Sequence, residues 1–201
     1  MIEGAAPRAA GRAGDELADA ILVFWFGPAP HAERREWFHK DPAFDATIRA
    51  RFGDAIDRAL AGGFGEWCLR AEGALARVLL LDQFTRNAFR DSPKAFAGDA
   101  RALATTDDAI ARGLDAALDR YQRWFLYMPL QHSEDRATQA RSLERFAALA
   151  RDTGLDAPMR YVRRHAEIVE RFGRFPHRNA ILGRASTPEE IEFLRTPGSA
   201  F

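Results

Sequence analysis

The segment 72–89, EGALARVLLLDQFTRNAF, is apolar on most sides of the helix that its periodicity predicts. Because such a helix has no broad polar face to turn toward water, it must lie at the centre of a fold with other elements around it. No part of the chain shows a convincing alternation of apolar and polar residues, which is the pattern of a half-buried strand. The sequence therefore predicts an all-α protein.

Apolar stripes at helical spacing predict further helices around this segment. The first stripe covers residues 17–25 and ends at Gly27, and the second covers residues 44–59 and ends at Gly62. Ser92-Pro93 is predicted to start a fourth helix, because serine is a favoured N-cap and proline a favoured first helical residue. The sequence thus predicts four helices in the N-terminal half.

The C-terminal half begins with a fifth helix that Pro129 is predicted to break or kink, since proline lacks an N–H and clashes with the preceding turn. Ser133 is predicted to cap a sixth helix, whose first turn carries Glu134 and Asp135. Negative charge in that turn suits the helix dipole. This helix is predicted to end near Gly154.

Three more helical segments follow. The seventh helix is predicted over residues 157–172, and the GRFPHRN segment leads into a short eighth helix. Thr187 and Glu190 form the capping box of a last helix. Short Gly/Pro turns predict about eight or nine helices stacked as antiparallel αα-hairpins in one domain over residues 15–201, preceded by a disordered leader over residues 1–14.

Composition excludes several classes of partner. The 29 basic residues equal the 29 acidic residues, so no overall field attracts the 201-residue chain to nucleic acid or to an acidic membrane surface. No apolar run is long enough to cross a bilayer. The single cysteine excludes an internal disulfide and favours a cytoplasmic location, and the sequence indicates no oligomeric state.

Charged side chains interrupt apolar helix faces at three positions. Asp82 and Arg86 lie on the core face of the central helix as i, i+4 neighbours, and His165 lies on the apolar face of the seventh helix. A buried ion pair or a hydrogen-bonded histidine can fix helix packing without any chemistry. The alternative is that these side chains line a polar site.

The segment FGRFPHRNAILG, residues 172–183, concentrates positive charge where a helix begins. His177 and Arg178 would lie in a first turn, where the helix dipole disfavours cations, so an anion is expected nearby. A ligand such as phosphate or carboxylate could supply it, held also by Arg174. Alternatively, Asp82 or Glu134 supplies the anion from within the protein.

The similarity of DQFTRNAFR, residues 82–90, to this segment predicts that the two Arg-Asn sequences lie side by side. Asp82, Glu134 and three histidines could be imagined as metal ligands, but none has a diagnostic spacing, so no metal or other cofactor is predicted. The sequence contains no Gly-rich phosphate loop followed by lysine and no Gly-x-Ser-x-Gly motif.

The motifs LDQFTRN, FLYMPLQHSED and ERFGRFPHRNAILGRASTPEE resemble the bacterial family called "domain of unknown function 924". The resemblance begins at ILVFWFG, Ile21, and extends to near Leu194. It implies an all-helical fold similar to tetratricopeptide-repeat proteins, and it implies no established activity. Thr85 departs from the family pattern, in which proline is expected, but Asp82, Arg86 and Asn87 are kept.

Two hypotheses of function follow. The first is a binding protein that holds an anionic small molecule or an acidic peptide in a polar groove. The second is a hydrolase or transferase in which a histidine acts as general acid or base and arginines stabilise negative charge. The candidate ligand-binding residues are Asp82, Arg86, Asn87, Gln139, Arg174, His177, Arg178 and Asn179, and the candidate catalytic residues are His132, Glu134, His165 and His177.

Overall fold

The computed structural model describes residues 13–199, and this part of the chain is helical without any strand. The α-helices are α1 Ala13–Phe26, α2 Pro42–Leu60, α3 Ala71–Val78, α4 Thr85–Ala88, α5 Asp99–Ala111, α6 Arg120–Gln131, α7 Arg136–Thr153, α8 Met159–Phe172 and α9 Pro188–Leu194. Short 3₁₀ helices are Arg35–Trp37, Gly65–Leu69, Pro93–Phe96, Leu114–Ala117 and Pro176–Arg178. The all-α prediction is confirmed. The similarity to tetratricopeptide-repeat proteins stays a prediction.

The predicted leader falls mostly outside the described residues. Residues 1–12 are not described, and α1 already begins at Ala13, two residues before the predicted start of the domain. Within residues 13–199, no helix combines the length and apolar character that a membrane span requires.

The central helix is the one that the sequence predicts, with a change of winding in its middle. Helix α3 continues into a π-helical segment, Leu79–Phe84, which continues into α4. All six residues of this π segment are buried, as expected for a helix that is apolar on most sides. Segments of π-helix inside α-helices are frequent at functional sites, and this one carries Asp82.

Four helix boundaries differ from those predicted. The helix starting at Ser92-Pro93 is only the 3₁₀ helix Pro93–Phe96, and the Ser92 hydroxyl donates back to the Phe89 carbonyl instead of capping. Helix α6 is not broken at Pro129 but continues to Gln131, so the helix ends two residues beyond the proline. In place of a short eighth helix, the chain forms only the 3₁₀ helix Pro176–Arg178.

The cap of α7 is the fourth difference. Its N-cap is Asp135, whose carboxylate accepts from the Thr138 N–H at 2.7 Å, whereas Ser133 accepts from the Asp135 N–H before the helix begins. Glu134 therefore precedes the helix and is free to contact another segment. The predicted end at Gly154 and the Thr187–Glu190 capping box of α9 are both confirmed.

The C-terminal segment has a small apolar cluster of its own. Helices α6, α7 and α8 pack on one another in chain order, and the main core fills the space between these and the earlier helices. Phe175 and Phe193 pack with Ile168 and Val169 of α8 in a separate cluster. This cluster holds the 3₁₀ helix Pro176–Arg178 against the rest of the fold.

Candidate functional site

A partly open cavity of about 770 Å³ lies between the central helix, α6, α8 and the 3₁₀ helix Pro176–Arg178. We call it the cationic cleft, because six basic side chains line it and Asp91 is its only carboxylate lining residue within the described chain. The basic residues are Lys40, Arg86, Arg90, Arg160, Arg164 and Arg178. The histidines are His39, His132, His165 and His177, and the aromatic residues are Trp37, Phe38, Phe96, Trp124 and Tyr161.

Arg86 and Arg178 share one carboxylate, that of Asp99 at the start of α5. Arg86 Nη1 lies 2.9 Å from Asp99 Oδ1 and Arg86 Nη2 lies 3.0 Å from Asp99 Oδ2. Arg178 Nη1 lies 3.1 Å from the same Oδ2. The prediction that the two Arg-Asn segments lie side by side is therefore confirmed.

Arg178 is held in place from several directions. Its Nη2 donates to the His132 carbonyl at 3.0 Å, and its guanidinium carbon lies 4.5 Å from the Phe175 ring centroid and 4.8 Å from that of Phe96. Burial, together with the neighbouring charge of Arg86, lowers the pKa of Arg178 to about 10. Because this value is still above neutral pH, the buried side chain remains a cation.

Gly98 allows Asp99 to reach the two arginines. A Cβ atom at Gly98 would lie 2.1 Å from the carbonyl oxygen of Leu81 in the π segment, a distance that no side chain tolerates. The start of α5 therefore touches the central helix directly. This contact brings Asp99, the first residue of α5, to Arg86.

Asp82 and His132 form a hydrogen-bonded pair at the inner end of the cleft. Asp82 Oδ1 lies 2.7 Å from His132 Nδ1 and 3.0 Å from Arg86 Nη1, and the Asp82 side chain is fully buried. Burial alone would raise the pKa of the Asp82 carboxyl, but Arg86 and His132 lower it well below its usual range. The ionised carboxylate orients the His132 ring with Nδ1–H toward it, so that Nε2 is the proton-accepting nitrogen.

The cleft histidines His132, His165 and His177 are uncharged at neutral pH. Burial lowers the pKa of His132, in spite of the opposing effect of Asp82. Burial and the neighbouring His132 lower the pKa of His165 to about 3, and burial and Arg178 lower that of His177 to about 4. The His165 Nδ1 lies 2.8 Å from the Tyr161 carbonyl, which fixes this ring on α8. The positive charge of the inner cleft therefore comes from arginine.

The carboxylates that neutralise these arginines lie behind the wall of the cleft. Asp82 and Asp99 contact Arg86 and Arg178, and Asp45 Oδ1 accepts from Arg90 Nη2 at 3.1 Å and from Asn87 Nδ2 at 2.7 Å. None of the three acidic residues is among those that line the cavity. These carboxylates therefore orient Arg86, Arg90 and Arg178 from the side opposite the cavity.

Arg160 differs from the buried arginines. It is exposed and forms no ion pair with a carboxylate of residues 13–199. Its guanidinium donates to the Tyr161 hydroxyl at 2.7 Å and lies 4.6 Å from the centroid of that ring. The positive charge of Arg160 is therefore not neutralised by a carboxylate on this side of the cleft.

Glu134 positions the loop that carries His177 and Arg178. Its carboxylate accepts from the Phe175 N–H at 2.7 Å and from Arg184 at 2.6 and 2.9 Å. Burial alone would raise the pKa of Glu134, but these bonds to Arg184 and Phe175 lower it. Glu134 is not a lining residue of the cleft, so its contacts fit a positioning role.

Three of the other predicted ligand-binding residues also lie away from the cleft. Gln139 donates to the Gln131 and Ser133 carbonyls at 2.7 and 2.6 Å and so fixes the turn between α6 and α7. Arg174 pairs with Glu190 at 2.6 Å, and Asn179 donates to the Ser186 hydroxyl at 3.0 Å. These contacts close the C-terminal loop, and none of the three residues lines the cavity.

The structure thus brings together part of the predicted set. The predicted residues that line the cleft are Arg86, Asn87, His132, His165, His177 and Arg178, with Asp82 directly behind them. The predicted internal partner of Arg178 was Asp82 or Glu134, but the observed partner is Asp99. Across residues 13–199, no three His, Cys, Asp or Glu side chains converge in a way that could hold a metal ion.

Sequence reasoning missed the two arginines and the tyrosine that α8 contributes to the cleft. Arg160 and Arg164 are i, i+4 neighbours beside Tyr161. That spacing places two cations on the same helical face, which was an available signal. Phe38, Phe96 and Asp99 carried no comparable signal, because single aromatic residues and a first-turn aspartate are ordinary features of helical proteins.

Fold and cleft together define an all-helical protein with a cavity of small-molecule size that is lined by basic and aromatic side chains. The chain belongs to the family described as bacterial proteins of unknown function, DUF924, which matches residues 21–198. It is similar to the solved structure of ATU0120, a protein of unknown function from Agrobacterium tumefaciens, with 41% identity and a TM-score of 0.78 over 90% of this chain and 98% of that chain. No curated protein matches the chain. The predicted family is confirmed.

Proposed function

We propose that this protein binds an anionic small molecule in the cationic cleft. The observation that supports this function is the asymmetry of the lining, in which six basic side chains face the cavity and the carboxylate partners of Arg86, Arg90 and Arg178 lie behind it. A volume of about 770 Å³ falls in the range of small-molecule pockets, which favours a small anion over an acidic peptide. Arg160 supplies a cation without a carboxylate partner at the mouth.

A thermal-shift screen of anionic metabolites tests this function. A ligand at a hundred times its dissociation constant adds about 2.7 kcal/mol of apparent stability, which is readily measured. Arg160→Met should weaken binding of the best hit, because it removes a cation from the cleft. Arg163→Met is the matched control, since Arg163 lies on the same helix, is exposed and does not line the cavity. Equal losses in both variants, or no stabilising anion at all, would contradict the proposal.

A second function, catalysis by hydrolysis or group transfer, is favoured by the Asp82–His132 pair. A general base needs a histidine that is oriented by a carboxylate and open to a pocket, and His132 lies 2.7 Å from Asp82 and lines the cleft. In this role His132 Nε2 takes a proton from water or from a hydroxyl group. Arg86 and Arg178 then stabilise negative charge that develops on the substrate.

A panel of p-nitrophenyl esters and p-nitrophenyl phosphate tests for catalysis through release of p-nitrophenol. If His132 is the base, His132→Gln abolishes turnover and leaves the binding of anions in place. His39→Gln is the matched control, because His39 lines the cleft at an exposed position and contacts only the backbone carbonyl of Arg35. Turnover that survives in His132→Gln would exclude His132 as the base, and turnover that is absent from the unaltered protein with every probe would leave binding as the only function.

A further inference from the structure

We propose that the anion bound in the cationic cleft carries an aromatic ring, so that the ligand class is an aromatic oxyanion. This inference rests on the proposed binding function and adds the chemical class of the ligand. It comes from the division of the cleft into two parts. Phe38, Trp124 and Tyr161 lie together at one end, and Arg86, Arg178 and His132 lie together at the other.

The aromatic end is a set of nearly parallel rings. The Phe38 ring lies 5.6 Å from that of Tyr161 at an interplanar angle of 10°, and 5.2 Å from that of Trp124 at 26°. Phe38 and Tyr161 are only partly buried and both line the cavity. Because these rings stack face to face, another aromatic ring can contact the exposed edges of Phe38 and Tyr161 in an edge-to-face arrangement.

The oxyanion end begins one helical turn away. Tyr161 and His165 are i, i+4 neighbours on α8, so their Cα atoms are separated by about 6 Å along the helix axis. The His165 ring lies 5.8 Å from that of His132, and the His132 carbonyl accepts from Arg178. A ligand whose ring contacts Tyr161 can therefore reach the histidines and Arg178 with its oxyanion.

That separation matches a short ligand. An arylcarboxylate or an aryl phosphate places its oxygens a few ångströms from the ring, and either one can bind an arginine through two oxygens. Arg160, which lies over the Tyr161 ring at 4.6 Å, also favours an electron-rich aromatic neighbour through cation–π attraction. The shared chemistry is an oxyanion joined to an aromatic ring.

The test compares matched probes by calorimetry. Benzoate is paired with cyclohexanecarboxylate, and phenyl phosphate with methyl phosphate, so that carboxylate and phosphate are tested separately. An aromatic contact contributes roughly 0.5–1.5 kcal/mol, so the aromatic member of the preferred pair should bind about two- to twelvefold more tightly. Tyr161→Leu and Phe38→Leu should each reduce that ratio toward one.

Phe172→Leu is the control, because Phe172 is a partly buried ring on the same helix that packs against Phe193 and does not line the cleft. Equal affinity for aromatic and non-aromatic probes overturns the aromatic class and leaves anion binding standing. Failure of all four probes together with every anion of the thermal-shift screen overturns both. An aromatic preference that survives in both Tyr161→Leu and Phe38→Leu, or that is lost in Phe172→Leu, also overturns this inference.

Discussion

Arg86 and Arg178 contact the same carboxylate oxygen, Oδ2 of Asp99, at 3.0 and 3.1 Å, although some ninety residues separate them in the chain. Two like charges are thus held together by one acid from a third segment. The positive charge of the FPHRN sequence consequently has an internal anion. The same two arginines also line the cleft, so pairing with Asp99 does not remove them from reach of a ligand.

Asp99→Asn should destabilise the protein by roughly 3–5 kcal/mol, the typical result of removing one partner of a buried ion pair. The change leaves Arg178 buried without its carboxylate. The urea midpoint measures the loss. Asp91→Asn is the control, because Asp91 is exposed and pairs only with Lys40 at 3.9 Å, so its removal should change stability by less than about 0.5 kcal/mol. Similar midpoints for the two variants would contradict the shared role of Asp99.

Arg178→Ala should also cost roughly 3–5 kcal/mol in the protein without ligand, because it leaves Asp99 with one arginine and leaves the His132 carbonyl without its donor. If the Arg178 charge served only a ligand, the same variant would unfold near the midpoint of the unaltered protein. Urea unfolding of the protein without ligand therefore shows whether the Arg178 charge is needed by Asp99 or only by a ligand. Arg160→Ala, which breaks no ion pair of the described residues, is expected to leave the midpoint nearly unchanged.

The uncharged histidines predict loss of stability in mild acid. Burial lowers the pKa of His165 to about 3 and that of His177 to about 4, so the unfolded chain takes up these protons first as the pH falls. The contribution of the two histidines to the free energy of unfolding is fully present above about pH 6.5. Below that pH, each histidine lowers the free energy of unfolding by up to about 1.4 kcal/mol per pH unit, until the pH reaches its folded pKa. Urea unfolding at pH 7.5, 6.5, 5.5 and 4.5 measures this. Protonation of either ring between pH 5.5 and 8 in a histidine NMR titration would disprove it.

Gly98→Ala should separate α5 from the central helix. The added methyl would lie 2.1 Å from the Leu81 carbonyl oxygen, which belongs to rigid backbone, so one of the two helices must move. We expect a loss of about 2 kcal/mol or more and weaker anion binding, because Asp99 moves with the start of α5. Gly53→Ala in α2 is a suitable control, since nothing lies within 4 Å of a Cβ atom there. A stable Gly98→Ala protein with intact binding would contradict this account.

Chelation should not affect folding, because the spacing of histidines and carboxylates in the sequence is not that of a dedicated metal site. The measurement is the melting temperature with and without EDTA, together with metal analysis of the purified protein. A decrease of several degrees, or stoichiometric zinc, would disprove the prediction.

The sequence predicts helices more reliably than it predicts partners. The central helix follows from periodicity, and the proximity of Arg86 and Arg178 follows from the similarity of their segments. The role of Glu134 does not follow, because a first-turn position and a position just before the N-cap differ by only two residues. The role of Glu134 depends on its tertiary contacts with Arg184 and Phe175, and the local sequence does not predict these contacts.

A carboxylate shared by two distant segments also constrains how the sequence can change over generations. A relative without Asp99 would hold Arg86 and Arg178 close together without the carboxylate that they share. A relative without either arginine would hold Asp99 with only one ion-pair partner. Substitutions at the three positions are therefore expected to appear together. In aligned relatives, the residue at position 99 should therefore covary with the residues at positions 86 and 178.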